Sequence, residues 1–384
     1  MKICDVVKNS IWYDPRVKKQ IKTYISSGME IVGVGVKDPR YNKDEVLKIG
    51  CEVNLAEIGS KYYAGKQNIF NKIIRELKTN KEIYKKIVSS NADLIHANDL
   101  NALIPAYKAS KKLKCKLIYD THEIFLENPW IAKNKIVKFI WGYYERKIVH
   151  KVDAVVCVSH AAAEYLKKKY NITKPIVVTN CISGDNIIEK AVEKAEPKQI
   201  LNHGQFYGGR GYDLMIEAAP LLSQYNDLQF VLRGFGVLEE QLRARVKELD
   251  AKNVCFAPPV KVEELIPCAS RAFIGLAITQ AISINFELSV SNKIFEYAAA
   301  GLPVIMSDIP EHRYLNDKYN FGIIIKNDTP EEIADAVLQL YKNKDMYDKC
   351  ADGSKRLSKE INWDTEFGKL IEIEKCIVSY KDWK

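Results

Sequence analysis

Short β-rich runs alternate with amphipathic helical stretches along almost the whole chain, and this rhythm limits the fold more than any other feature. The runs K-I-C-D-V-V, E-I-V-G-V-G-V, A-D-L-I-H-A, K-L-I-Y-D, A-V-V-C-V-S and P-I-V-V-T-N come first, with helical periodicity over 71–88, 133–150 and 160–169 among them. Such alternation predicts parallel strands joined by right-handed crossovers. The rhythm pauses over 184–197, a polar, charged stretch that contains Pro197. It restarts with Q-I-L-N-H-G, L-Q-F-V-L-R-G, N-V-C-F-A, F-I-G-L-A-I, L-P-V-I-M-S and F-G-I-I-I. A chain of 384 residues is comfortable for two domains. The expectation is therefore α/β, with two doubly wound domains over 1–183 and 198–362, a linker over 184–197, and a closing segment over 363–384 that is helical in pattern over 363–380. Such sheets bind ligands at the carboxyl ends of their strands, so a cleft between two of them suits a bipartite substrate.

Composition narrows the class. No run approaches the roughly 18 apolar residues that a membrane span requires. The first apolar run carries Asp5 and no cleavage pattern, so it reads as a strand and the expected location is the cytoplasm. Nine cysteines, an odd number without any C-x-x-C, argue against a disulfide framework and a zinc site. The net charge of +9 is uneven: residues 1–183 hold 33 Lys and Arg against 18 Asp and Glu, while the remainder is acidic. An anionic partner of the first half and a plain solvated Lys-rich surface both remain open.

Four constellations carry chemistry. The first, G-Q-F-Y-G-G-R-G over 204–211, lies between a strand and the helical pattern Y-D-L-M-I-E-A-A. Backbone N–H groups of Gln205, Gly208 and Gly209 can approach a phosphate there, with Arg210 adding a charged contact; a tight structural turn is the alternative. The second is S-N-K-I-F-E-Y-A-A-A-G-L-P over 291–303. It predicts a helix from about 292 to 300, stopped by Gly301 and Pro303. Lys293 falls in the first turn, where the helix dipole disfavours a cation and a bound anion would relieve the conflict; otherwise it is an exposed Lys. Glu296, among aromatics and alanines, needs a partner, either a ribose diol or a basic neighbour. The third pairs H-A-N-D over 96–99 with D-T-H-E over 120–123, placing His122 at a strand end. The fourth, 129–150, mixes aromatics with five Lys and Arg residues and one acid. One face is expected to pack on the first sheet, while the exposed face is open to contact with a membrane.

Together these pieces resemble the retaining GT-B glycosyltransferases of family 4. The resemblance runs through Y-D-P-R-V-K-K-Q, A-D-L-I-H-A-N-D, Y-D-T-H-E-I-F, V-C-V-S-H-A-A-A, H-G-Q-F-Y-G-G-R-G and L-R-G-F-G-V-L-E-E-Q-L, and is most specific at N-K-I-F-E-Y-A-A-A-G-L-P-V-I. It implies two Rossmann-like domains facing a cleft, with the last helix crossing back to the first. The second domain would hold a nucleotide diphosphate sugar as co-substrate, and the first a glycan or lipid-linked acceptor. By the same resemblance Glu296 binds the ribose hydroxyls, Arg210 neutralises the diphosphate, and His122 contacts the transferred sugar. Ser289, Ser291 and Asn292 belong to the loop that meets phosphates and sugar, while Gly234 and Gly236 form the G-x-G near the nucleotide. Leu288 stands where the family often has a further Glu, with Glu287 beside it, and Gln205 replaces the usual Arg.

The implied reaction is glycosyl transfer with retention, from a UDP-sugar in preference to a GDP-sugar, in surface-polysaccharide, lipopolysaccharide or capsule synthesis. Arg210, Lys293 and helix N-terminal amides would stabilise the leaving diphosphate. No D-x-D occurs, so no metal and no other cofactor are expected. An anionic membrane surface is a candidate partner of the basic half. The rivals are a sugar-nucleotide epimerase on the same fold, a nicotinamide dehydrogenase, and a nucleic-acid binder. The dehydrogenase would need G-x-G-x-x-G, which 204–211 lacks. The nucleic-acid binder would need aromatics lining an exposed groove, and nucleic acid is not expected as a partner.

Overall fold

The computed structural model describes residues 1–38, 50–56, 69–190 and 192–379. They form two compact units, one running Met1–Val178 and taking up the chain again from Glu366, the other Thr179–Thr365.

In the first unit seven parallel strands stand in the order β3-β2-β1-β4-β5-β6-β7. They are β1 (Lys2–Val7), β2 (Glu30–Val36), β3 (Glu52–Ala56), β4 (Leu94–Asn98), β5 (Lys116–Thr121), β6 (Ala154–Cys157) and β7 (Ile176–Val177). The strands β1, β2 and β4 are buried almost throughout, as mostly apolar strands covered on both faces are, with Asp5, His96 and Asn98 as the buried polar residues among them. The strand order reverses between β1 and β4, where Val7 pairs with Asn98.

The second unit repeats the plan with six parallel strands, in the order β10-β9-β8-β11-β12-β13. These are β8 (Lys198–Gln205), β9 (Leu228–Phe235), β10 (Val254–Ala257), β11 (Ile274–Ala277), β12 (Val304–Ser307) and β13 (Gly322–Ile325). Ile200, Ile216, Leu232, Leu276, Ile305 and Val337 meet in its core. The reversal lies between β8 and β11, and the carboxyl ends of those two strands carry the Gly-rich turn and the loop that leads to Lys293. Both sheets therefore have the Rossmann-like layout.

Local differences from the sequence reading have simple causes. β8 runs on through Gly204 and Gln205, which pair with Gly234 and Phe235, so the Gly-rich turn starts inside a ladder and not after it. The stretch 184–197 is tied to the second unit through Ile188 N–H to Ala299 O and Ala195 N–H to Arg271 O, both at 2.8 Å. The basic-aromatic segment breaks at Asn134, whose extended backbone and side chain cap the helix Lys135–Val149. The last helix is Trp363–Ser379; Tyr380, its expected end, lies outside the described residues. Among the described residues no helix is long and apolar enough to cross a membrane.

Candidate functional site

The site in the second unit grows from the helix Asn292–Ala299. Ile294, Tyr297 and Ala298 are buried along it, as its periodicity predicts. Ser291 precedes it with extended backbone and a side chain that makes no capping bond, so the positive end of the dipole remains available to an anion. Gly301 takes φ +69° just past the helix. The Tyr297 hydroxyl donates to Leu201 O and accepts from His203 N–H, both at 3.1 Å, clamping the helix to β8.

Lys293 is not an exposed surface residue. It is 9% exposed, with its ammonium 5.5 Å from the centre of the Tyr212 ring. Burial, and then the nearby Arg210, push it down to about 7, against a smaller opposing pull from Glu296. Two cations thus stand together where the dipole is also positive, an arrangement that favours a multiply charged anion. Arg210 is held by its neighbours: it donates to the Tyr207 hydroxyl at 2.7 and 3.0 Å and to Thr279 Oγ1 at 3.4 Å, and lies over the Tyr207 and Phe286 rings.

Glu296 has the basic neighbour that was one of its two expected partners, at a residue the sequence reading did not name. Its Oε2 is 2.7 Å from Nε2 of His203, the last buried residue of β8 before the Gly-rich turn. The carboxylate remains partly exposed. Thr279 and Ser307 were also missed. Ser307 Oγ accepts from Thr279 N–H at 3.0 Å and donates to Asp328 at 2.6 Å, and its carbonyl accepts from the buried His312 at 2.9 Å. Burial pushes His312 down to about 4, so it remains neutral and serves as a fixed donor supporting the loop after β11.

The turn itself depends on close backbone approach. Gly234 has φ +151°, and a Cβ there would lie 1.8 Å from Gly204 O. Gly209, at φ +80°, presses on Ile282 and Phe286. Gly236 packs on the Phe206 backbone, while Gly208 and Gln205 are exposed. Ser289 Oγ donates to Phe286 O at 2.9 Å, and Asn292 is exposed at the helix start. Arg210, Lys293, Glu296, the glycines and the loop through 292 therefore converge at one strand-order reversal, the position at which doubly wound sheets bind ligands.

His122 belongs to the first unit, just after β5. Its Nε2 lies 2.9 Å from Asn98 Oδ1, and its backbone N–H donates to Asp99 at 3.0 Å. Burial would push it down, but Asp99 and Asp120 outweigh that and hold it up. Behind it, Asp120 receives Arg16 at 2.9 Å, Gln20 at 2.9 Å and His96 at 3.2 Å. Two segments singled out separately in the sequence, Y-D-P-R-V and D-T-H-E, thus meet through the Arg16–Asp120 pair. His96 also meets Glu374 at 3.2 Å; burial opposes its charge, but the bonds to Asp120 and Glu374 hold it up at about 10.

With this geometry in place, the chain can be set beside known proteins. Residues 197–343 match the family model described as glycosyl transferases group 1, and residues 27–183 match that described as Glycosyltransferase Family 4. The O-antigen biosynthesis glycosyltransferase WclY of Escherichia coli is 23% identical over 261 residues, covering 66% of this chain and 70% of that protein. An N-acetylgalactosamine-N,N'-diacetylbacillosaminyl-diphospho-undecaprenol 4-alpha-N-acetylgalactosaminyltransferase of Campylobacter jejuni is 27% identical over 226 residues, covering 55% of this chain and 60% of that protein. Among solved structures, Anabaena HepE in complex with UDP superposes with a TM-score of 0.72 at 14% identity, over 98% of this chain and 100% of that one. At that identity the likeness concerns the fold.

Proposed function

Since the chain belongs to the glycosyltransferases of family 4 and group 1, with their GT-B fold, we propose that it transfers a sugar from a nucleotide diphosphate sugar to a lipid-linked or surface-glycan acceptor. A UDP-sugar is the favoured donor, with a GDP-sugar as the alternative. The observation that carries this reading is the buried Lys293 beside Arg210 at the start of the helix Asn292–Ala299. Such a pair has little use without an anion, and a diphosphate supplies the charge that both cations lack. The acceptor class follows the relatives, one named for O-antigen synthesis and one for a diphospho-undecaprenol substrate.

In this reading the departing diphosphate develops negative charge, and Lys293, Arg210 and the first amides of the helix stabilise it in place. The two cations take the role that a divalent ion has elsewhere, so no metal is required. Glu296, held on one side by His203, uses its remaining acceptor capacity for the ribose hydroxyls. Gln205, Gly208, Gly209, Gly234 and Gly236 let the backbone come close to the nucleotide, while Ser289, Ser291 and Asn292 meet phosphate and sugar. His122 contacts the transferred sugar. Transfer proceeds with retention: the acceptor hydroxyl attacks the face that the diphosphate leaves, and the leaving phosphate oxygen takes its proton. Leu288 offers the sugar no carboxylate, and Glu287 beside it is exposed.

The test is a thermal-shift panel of UDP, GDP, ADP and their sugars, since a ligand of the folded state raises its melting temperature by mass action. A shift by one nucleotide family is expected. Arg210→Ala should abolish that shift and lower turnover roughly 100- to 1,000-fold, with the melting temperature of the free protein unchanged. A panel that leaves the wild-type protein unmoved would overturn the donor-site reading.

A further inference from the structure

The helix Lys135–Val149 turns its apolar side outward. Ile136, Phe139 and Tyr143 recur at helical spacing and are 73%, 76% and 54% exposed; Ile140 and Tyr144 widen the stripe. The acid of this helix, Glu145, points the other way: it is buried and accepts hydrogen bonds from the Tyr119 hydroxyl at 2.9 Å and from Tyr170. Lys138 is tied to Glu127 at 2.7 Å. The other charged side chains here are basic, with Lys133, Lys135, Arg146, Lys147 and Lys151 exposed around the stripe. They stand on the half of the chain that carries a surplus of 15 positive charges over residues 1–183.

Large contiguous exposed apolar patches mark interaction sites, and the charges around this one select its occupant. A second copy docked face to face would bring Lys135 and Lys147 of one chain towards those of the other, which like-charge repulsion opposes. An anionic bilayer answers both features: the apolar side chains enter the boundary between headgroups and acyl chains, and the lysines meet lipid phosphates.

We propose that the outward face of the helix Lys135–Val149 is a membrane dock, seating Ile136, Phe139, Ile140 and Tyr143 in the surface of an anionic phospholipid bilayer. The dock rests on the reading of the acceptor as lipid-linked, because an enzyme whose acceptor stays in the bilayer must work at its surface.

Sedimentation of the full chain with vesicles tests it. The protein should bind vesicles of phosphatidylcholine with phosphatidylglycerol, ignore phosphatidylcholine alone, and be released by high salt. The double variant Ile136→Glu with Phe139→Glu changes only exposed positions and should lower binding at least tenfold. Lys135→Glu with Lys147→Glu should lower it further, at roughly fivefold for each positive charge removed from the surface. Both variants should keep the wild-type thermal shift with nucleotide. Wild-type protein that stays in the supernatant, or an Ile136→Glu, Phe139→Glu protein that still sediments, would overturn the dock. So would a wild-type dimer in ultracentrifugation that this variant dissolves, since the face would then belong to a second copy. Loss of the nucleotide shift with vesicle binding intact would instead sink the transferase reading and leave the dock standing.

Discussion

Replacing Lys293 with methionine should make the protein more stable and unable to hold a nucleotide. Lys293 is pushed from 10.5 down to about 7, first by burial and then by Arg210. At about 1.4 kcal/mol per unit, keeping this side chain buried beside Arg210 destabilises the fold by about 4 kcal/mol at pH 7. Between pH 7 and 10.5 the unfolded chain holds more protons at this group than the folded one. Its contribution to stability is therefore present above 10.5 and is lost as pH falls towards 7. The methionine variant lacks that dependence and should melt about 8 °C or more above wild type at pH 7, at about 2–4 °C per kcal/mol for a unit of this size.

A bound diphosphate restores the charge on the wild-type lysine. At pH 8, where Lys293 is mostly neutral without a ligand, UDP binding should take up close to one proton, and at pH 6 almost none. Calorimetry in buffers of different ionisation enthalpy reads this uptake directly, and scanning calorimetry reads the melting temperature. Affinity should fall as pH rises above 7, and Lys293→Met should weaken it roughly 100-fold, as expected for loss of a charge-assisted contact in a buried site. A variant that melts with the wild type at every pH from 6 to 9, keeps full UDP affinity and leaves the proton uptake unchanged would refute the reasoning.

Three further outcomes follow from named contacts. Glu296→Gln keeps the shape but loses the charged partner of His203; the KM for the donor should rise about tenfold, as loss of one charged hydrogen bond implies, with the melting temperature within a degree or two of wild type. Gly234→Ala places a Cβ 1.8 Å from Gly204 O at φ +151°, so it should destabilise the second unit by about 3 kcal/mol or more, measured by urea unfolding. His122→Ala should lower kcat while leaving the UDP thermal shift intact; loss of that shift would mean that His122 acts through the fold of the donor unit.

The layout of both sheets was legible because parallel strands buried on two faces leave continuous apolar runs, and the helix over 292–299 because its buried positions recur at helical spacing. The burial of Lys293 was not, since a helical pattern gives the face of a residue but not what covers it. Here Tyr212 and the backbone at Gly204, more than 80 positions earlier, provide that cover. His203 was hidden for a related reason: within Q-I-L-N-H-G it reads as the end of a strand, and its meaning comes only from Glu296, brought to it by the packing of one helix on one sheet. The break at Asn134 could have been found, because Asn followed by a helical run is a cap signal, but the continuous aromatic-basic pattern concealed it.

The helix Trp363–Ser379 also has a consequence for biosynthesis. Glu374 is fully buried, receiving the Tyr24 hydroxyl at 2.7 Å and meeting His96. The unit that leaves the ribosome first is therefore the one completed last: until the final helix emerges, Tyr24 and His96 face an unfilled slot while the whole second unit is still being made. During that interval the nascent first unit depends on chaperones or on its own partial core. A stop codon just after the second sheet would spare nearly every donor-site residue and still leave Tyr24 and His96 of the first unit without Glu374.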